Sequence, residues 1–386
     1  MSRNTFKILG LDSAARPAAL ILAATLAVAA TACEPTPPGG GPSPGQDKTT
    51  AAPGTPATTP SAEPTQAQGK PGHVFVINLE NHDYNDVWGA GSAAPYLSKT
   101  LRAEGVLLSR YYGIDHNSLP DYLAQISGQG SNAMTRADCP VYAGFKQTGT
   151  SELSQVQGTG CVYPASVPTL AGQLSSAGKT WKGYMEDMGT PCQHPEPGSK
   201  DDHHKAKEGD QYATRHNPFV YFEEITSSPD CQKNVVDYTH FADDLKSTDA
   251  TPNLSFITPN LCNDGHDSPC VDGNPGGLES ADGWLQQQVP AILDSPAYKQ
   301  DGMLVITFDE TEAKTSGPSG IPGGTAGGRV GALVISPFTK GGTTSDRMYN
   351  HYSLLASIED IFSVPRLGYA GAPGLNSFGP DVFNAL

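Results

Sequence analysis

The sequence has few basic residues: 24 Lys and Arg stand against 40 Asp and Glu, which gives a formal net charge of −16. A charge of this sign repels nucleic acid phosphates and anionic membrane surfaces, so neither is expected as a primary partner. The composition also excludes a coiled coil, a polytopic membrane protein and a collagen-like chain. These absences leave an acidic protein with one apolar run near its N terminus.

Leu, Ile, Val, Met and aromatic residues are all missing between Glu34 and Gly72, where Pro, Gly, Thr and Ala dominate. Such a stretch cannot bury enough apolar surface to offset the entropy of ordering, so it predicts an unfolded spacer over residues 33–72. Its proline content makes the spacer semi-rigid.

The apolar run near the N terminus, residues 18–30, follows Arg3, Lys7 and Arg16 and ends in Ala-Thr-Ala before Cys33. A basic region followed by a short apolar region predicts an export signal over residues 1–32. The cysteine directly after small residues indicates a lipoprotein signal with Cys33 as the lipidated residue. Simple secretion, with Cys33 as a free thiol, is the alternative. The expected location is the outer face of the membrane, reached only through the lipid, or the surrounding medium.

Removing Cys33 leaves an even number of cysteines. In an exported chain an even number predicts disulfides, here three. Pairing of sequence neighbours is the simplest of the possible arrangements and involves Cys139–Cys161, Cys192–Cys231 and Cys262–Cys270. A zinc site is the alternative, but the sequence has no CxxC pair to support it.

Short apolar, β-rich runs alternate with segments of helical spacing through residues 73–386. The strand-like runs are Val74–Leu79, Leu107–Tyr112, Asn253–Thr258, Met303–Phe308 and Ala332–Ser336. This alternation predicts one α/β catalytic domain with a largely parallel central sheet and helices on both faces. The polar, Gly- and Pro-rich stretches 131–167 and 189–215 are expected to be long loops stapled by disulfides.

Polar side chains follow four of the predicted strands. They are Glu80 and Asn81, His116 and Ser118, Asp264 and His266, and Asp309 and Glu310. Ligands of open α/β sheets bind at the carboxyl ends of the strands, and carboxylates held that close need a cation. Oxygen donors favour Mg, Ca or Mn, with Fe or Zn possible through histidine.

Taken singly, each of these groups also has a structural interpretation. Glu80-Asn81 could cap a helix, Asp309-Glu310 could form a solvated turn, and His116 could be a hydrogen-bonded loop residue. Ser118 could be a helix N-cap. As a nucleophile, Ser118 would have helix N–H groups nearby to stabilise a phosphate.

Seven motifs together resemble the phosphoesterase family of bacterial phospholipases C and acid phosphatases, most closely its acid phosphatase branch. They are ENHDYNDVWG, DHNSLPDYLAQISG, WKGYMEDM, RHNPFVYF, TPNLCNDGHD, TFDET and NHYSLLASIEDIF. The resemblance covers nearly all of residues 73–386, and the motifs occur in the family's order. It implies an alkaline-phosphatase-like fold.

The resemblance also implies roles for individual residues. Glu80, Asn81, Asp309 and Glu310 match metal ligands, and Ser118 matches a serine that becomes phosphorylated and contacts the metal. A phosphate-contacting group is implied at His116, His216, Asp264 and His266, and also at His351, where the match is only a His ahead of the last helix.

The expected reaction is hydrolysis of phosphate monoesters through a phosphoserine, assisted by one divalent metal ion of unknown identity and carried out by a monomer. Cationic histidines in place of a second metal predict an acidic pH optimum. Phospholipase C-like cleavage of diesters is the alternative reaction. A surface lipoprotein that binds phosphate or metal is the alternative of another class, since it needs the same ligands without a nucleophile.

Overall fold

The computed structural model of the protein describes residues 69–312 and 327–384. The predicted signal (1–32), Cys33 and most of the predicted spacer (33–72) lie outside the described residues. Among the helices that are described, none is both long enough and apolar enough to cross a membrane.

Eight strands of the described residues form one central sheet, and two more form a separate hairpin. In chain order the strands are β1 His73–Leu79, β2 Val106–Tyr112, β3 Lys146–Thr150, β4 Val156–Thr159, β5 Trp181–Met185, β6 Val235–Asp237, β7 Leu254–Thr258, β8 Gly302–Phe308, β9 Ala332–Ile335 and β10 Thr343–Asn350. The central sheet has the order β10-β2-β9-β8-β1-β7-β5-β6, and β3 pairs with β4.

Strand pairing in the central sheet is parallel except at β9, which runs antiparallel to both β2 and β8. Strand β1 lies between β7 and β8 and is buried along its whole length. Its continuous apolar sequence is typical of a strand covered on both faces. The predicted α/β class with a largely parallel sheet is therefore confirmed.

Three strands of the central sheet were not among the predicted runs: β5, which lies inside the sheet, and β6 and β10 at its two edges. β6 has three residues, and β10 mixes buried and exposed positions in a largely polar sequence. Edge strands have one face or one side open to solvent, so they do not carry the continuous apolar signal of central strands. All five predicted strand-like runs coincide with observed strands.

Ten α-helical segments are described. In chain order they are α1 Tyr84–Trp88, α2 Arg102–Glu104, α3 Ser118–Ser127, α4 Leu170–Ser176, α5 Glu223–Thr226, α6 Asp230–Asn234, α7 Phe241–Asp244, α8 Gly277–Asp294, α9 Pro296–Asp301 and α10 His351–Phe362. A π-helix precedes α2, and short 3-10 helices occur in the connections.

Helix α3 begins directly after the loop that follows β2, and all of its residues are buried. Pro120 lies in its first turn, where a missing N–H costs little. The helix ends at Gly128, which has a left-handed φ of 65°, and a Cβ at that position would lie 2.2 Å from the carbonyl oxygen of Leu367. A residue without a side chain is therefore needed there. The result is a rigid, enclosed helix whose N terminus points to one edge of the sheet.

Three disulfides join sequence neighbours: Cys139–Cys161, Cys192–Cys231 and Cys262–Cys270. This is the simplest predicted pairing, and the structure confirms it. The first bridge joins two positions within the stretch 131–167. The last bridge closes the loop after β7, which carries Asp264 and His266, and so restricts the positions of both side chains.

Candidate active site

Glu80 and Asn81 directly follow β1, at the carboxyl edge of the sheet. The side chain of Glu80 is completely buried. Asn81 has a φ of 55°, a left-handed conformation that asparagine tolerates better than most residues. The backbone N–H of Asn81 donates to Asp309 Oδ1 at 3.1 Å. The ends of β1 and β8 are therefore joined, as predicted.

Ser118 is the first residue of α3, and Asn117 occupies the N-cap position. The side chain of Asn117 makes no capping hydrogen bond, and the N–H of Leu119 donates to Asp138 Oδ1 at 3.0 Å. The hydroxyl of Ser118 does not cap the helix; it donates to Glu80 Oε2 at 2.9 Å. The interpretation of Ser118 as a helix N-cap is therefore wrong, and its hydroxyl belongs to the carboxylate cluster.

His216 lies between two buried carboxylates. Its Nδ1 is 3.2 Å from Asp264 Oδ2, and its Nε2 is 3.4 Å from Glu80 Oε2. Asp264 also accepts a hydrogen bond from the backbone N–H of His266 at 2.8 Å through its other oxygen. The loop after β7 is thus held against the end of β1, and its histidine side chain is placed beside His216, with ring centres 5.9 Å apart.

Asp309 and Glu310 directly follow β8 and diverge in direction. Asp309 Oδ1 accepts from the N–H of Glu310 at 2.6 Å and lies in the buried cluster. The Glu310 side chain turns toward His116, whose Nδ1 is 3.5 Å from Glu310 Oε2. The side chain of His116 keeps 15% of its surface exposed and that of Glu310 keeps 10%, so these two residues form the more accessible side of the site.

His351 is buried and does not reach the open part of the site. Its Nε2 is 2.6 Å from the backbone oxygen of Asp309, to which it donates, and 3.2 Å from Asp121 Oδ1. Its Nδ1 is 3.0 Å from the hydroxyl of Tyr111. Both ring nitrogens are engaged, so this placement does not support the expected phosphate contact. His351 instead holds the backbone that carries Asp309.

Tyr122 is a member of the site that the sequence interpretation missed. Its hydroxyl donates to Glu80 Oε1, and its ring stacks on His216 at 5.2 Å between centres and 8° between planes. The signal was available, because Tyr122 lies four residues after Ser118, and residues at that spacing share one face of a helix. Tyr122 and Ser118 together occupy both oxygens of Glu80.

The carboxyl groups of the cluster repel one another in a water-excluded space. Burial raises the pKa of Glu80 well above its ordinary value, and the charges of Asp309 and Asp264 raise it further. Burial also raises the pKa values of Asp264 and Asp309, and it raises the pKa of Glu310 to about 9. Carboxylates arranged in this way are stabilised by a cation.

Burial lowers the pKa of His216 well below its ordinary value, and the positive charge of Arg215 lowers it further. A lowered pKa favours the neutral form of this imidazole. His216 is therefore not suited to carry the positive charge that was expected of the histidines, and it is suited to act as a neutral metal ligand.

The residues present fit a divalent cation. Ligand atoms of Glu80, His216 and Asp264 all lie within 4.8 Å of one another. Asp309 Oδ2 is buried and has no hydrogen-bond partner among the described residues. The predicted ligand group was Glu80, Asn81, Ser118, Asp309 and Glu310. The structure adds His216 and Asp264 to the candidate ligands, both of which were predicted to contact phosphate. It turns Glu310 toward His116.

These features define a class: an α/β protein with a candidate metal-assisted hydrolytic site at the carboxyl edge of its sheet. Residues 90–365 match the sequence profile of the Phosphoesterase family. This match covers most of the chain, and the chain belongs to that family.

Similar proteins include the phosphate-repressible acid phosphatase of Penicillium chrysogenum, 30% identical over 292 residues that make up 76% of this chain and 59% of that protein. The phosphatidylinositol-3-phosphatase of Mycobacterium tuberculosis is 26% identical, over 83% of this chain and 85% of its own length. A solved structure from Vibrio parahaemolyticus in the alkaline phosphatase superfamily overlays with a TM-score of 0.46 at 12% identity, over 78% of this chain and 68% of that one. The chain spans 55% to 59% of the length of the fungal acid phosphatases that it matches.

Proposed function

We propose that this chain hydrolyses phosphate monoesters through a phosphoserine formed on Ser118, with the help of one divalent metal ion. The observation that carries the proposal is the hydrogen bond from Ser118 Oγ to Glu80 Oε2 inside the buried cluster. Membership of the family and the names of similar proteins, acid phosphatases among them, support the substrate class. The metal would be held by Glu80, Asp264, His216 and Asp309.

The first step follows from the position of the Ser118 hydroxyl. Its oxygen attacks phosphorus while its proton passes toward Glu80 Oε2, the atom to which it already donates, and the bond from phosphorus to the alcohol oxygen breaks. The dipole at the start of α3 stabilises the negative charge beside Ser118. A bound divalent cation would polarise the phosphoryl oxygens and neutralise the surrounding carboxylates.

The departing alcohol oxygen needs a proton, and we assign this role to His116. It lies with Glu310 on the accessible side of the site, 3.5 Å from Oε2 of that residue. A general acid must be able to reach the leaving group, which is the part of the substrate that extends toward solvent. Water then cleaves the phosphoserine and regenerates the free hydroxyl.

The test is to trap the intermediate. Wild-type protein quenched in acid during turnover of p-nitrophenyl phosphate is expected to carry one phosphoryl group on the peptide that contains Ser118. Ser118→Ala should carry none and lose activity by about 10³-fold or more, while its binding of divalent cations stays intact. Full turnover by Ser118→Ala would contradict the proposal, and faster turnover of p-nitrophenylphosphorylcholine would favour diester cleavage.

We also infer that the protein is exported, because three disulfides persist in an oxidising compartment rather than in the cytosol. The predicted lipid on Cys33 lies outside the described residues and remains a proposal. The mass of the mature N-terminal peptide tests both statements, since lipidation adds a diacylglyceryl group to a chain that starts at Cys33. An unprocessed N terminus on protein from the native cell would contradict export.

A further inference from the structure

Arg215 is a buried arginine next to the candidate site, with 4% of its surface exposed. It lies in the 3-10 turn Thr214–His216. One of its terminal amino groups, Nη1, donates to the backbone oxygen of His204 at 2.6 Å, and the other, Nη2, is 3.1 Å from His266 Nε2. Both contacts orient the guanidinium group.

The charge of Arg215 has no directly paired carboxylate among the described residues. Within residues 69–312 and 327–384, no carboxylate lies within ion-pair distance of its guanidinium group. A buried cation without a paired anion is costly, and a bound anion would remove that cost. The feature therefore points to a negatively charged ligand.

The histidine contact fixes the protonation of His266. A guanidinium group only donates hydrogen bonds, so His266 Nε2 must accept from Arg215. The proton of this imidazole then lies on Nδ1, which is 2.7 Å from Asp267 Oδ1. His266 is thus held between Asp267 and Arg215, and it orients the guanidinium group of Arg215.

Donor capacity is left over for a ligand. Arginine has five N–H donors, and those of Arg215 make only the two hydrogen bonds described above with the described residues. The guanidinium group also lies close enough to Asp264 and His216 to affect their pKa values, although burial is the main cause of both shifts. His216 in turn lies 3.4 Å from the glutamate that accepts from Ser118.

We propose that Arg215 binds the phosphoryl oxygens of the substrate, a role that rests on the proposed phosphatase function. The planar guanidinium group matches two oxygens of a phosphate and stays charged at every physiological pH. Arg215 supplies the positive charge that the sequence interpretation assigned to protonated histidines. His266 and the His204 carbonyl position the group, and Asp267 fixes the imidazole.

The test measures inorganic phosphate binding by calorimetry, alongside kcat and KM for p-nitrophenyl phosphate. Arg215→Ala is expected to weaken phosphate binding by about 10- to 100-fold, the usual effect of losing hydrogen bonds from a charged group. Arg215→Lys keeps the charge but loses the planar fork, so it should bind phosphate several-fold more weakly than wild type. Arg110→Ala removes an exposed arginine whose guanidinium donates to a backbone oxygen far along the chain, and it should match wild type.

Added guanidinium ion provides a readout that a purely structural role would not change. It is expected to restore part of the phosphate binding and turnover of Arg215→Ala and to leave Arg110→Ala unaffected. Unchanged phosphate binding in Arg215→Lys and in folded Arg215→Ala overturns the inference. If Arg215→Ala does not fold, the lysine variant alone decides by the same criterion.

Failure of the proposed function gives a different pattern from failure of this inference. If wild type and Ser118→Ala bind phosphate through Arg215 but wild type turns over no ester, the phosphatase proposal fails and the anion site stands. If wild type is active and the Arg215 variants bind phosphate as it does, the anion site fails and the phosphatase proposal stands.

Discussion

Removing the hydroxyl of Tyr122 is the sharpest single test of the buried cluster. That hydroxyl donates to Glu80 Oε1, while the ring of Tyr122 stacks on His216 at 5.2 Å. Tyr122→Phe deletes one oxygen atom and keeps the ring, so the packing of α3 against the sheet is preserved. The direct loss is the hydrogen bond to a buried carboxylate.

The magnitude follows from the charge of the acceptor. A hydrogen bond to a charged group contributes about 1.5–3 kcal/mol. At about 1.4 kcal/mol for each factor of ten, its loss from a catalytic carboxylate lowers kcat/KM by about 10- to 100-fold. The effect should appear mainly in kcat, because the hydroxyl contacts Glu80 and not the outer part of a substrate.

The assay is steady-state hydrolysis of p-nitrophenyl phosphate, with thermal unfolding measured on the same samples. Tyr163→Phe is the matched control: it removes another buried hydroxyl, which is 3.3 Å from the side-chain amide of Asn132. This control should keep the wild-type kcat/KM. A Tyr122→Phe protein that is folded and within twofold of wild type would refute the assignment of Glu80 to the reaction.

Two further predictions concern buried carboxyl groups. Burial raises the pKa of Glu359 from 4.5 to about 8, so the folded protein holds this proton more tightly than the unfolded chain, and stability falls as pH rises between those values. The free energy of unfolding of Glu359→Gln should equal that of wild type near pH 4.5 and exceed it by up to ~5 kcal/mol at pH 8, from about 3.5 pH units at ~1.4 kcal/mol each. A gain in urea unfolding that does not grow with pH would contradict this, as would the same gain in the exposed control variant Glu279→Gln. Asp309→Asn should raise the melting temperature of chelator-treated protein, because it relieves the repulsion with Glu80. It should also reduce the rise in melting temperature that added Mn, Zn or Mg produces. An unchanged response to the metals would remove Asp309 from the ligand group.

Side-chain contacts account for most of what the sequence interpretation did not find. His351 and His266 were expected to contact phosphate, yet one supports the backbone of Asp309 and the other binds Arg215. Arg215 stands next to His216 in the sequence, and nothing local distinguishes a buried arginine from a solvated one. Which neighbour a side chain meets depends on elements far apart in the chain, so residue type and spacing cannot decide it.

The sequence by itself determined the fold class and the strand ends that build the site, whereas the simplest cysteine pairing needed the structure to confirm it. Central strands are continuous apolar runs, and parallel strands bring their carboxyl ends to one edge, so Glu80, Ser118, Asp264 and Asp309 had to approach one another. Only the tertiary structure decided the direction of each side chain at that edge: Ser118 toward Glu80, Glu310 toward His116, and Arg215 toward His266. Packing sets these directions, because each depends on the shape and charge of groups that the chain brings together only when it folds.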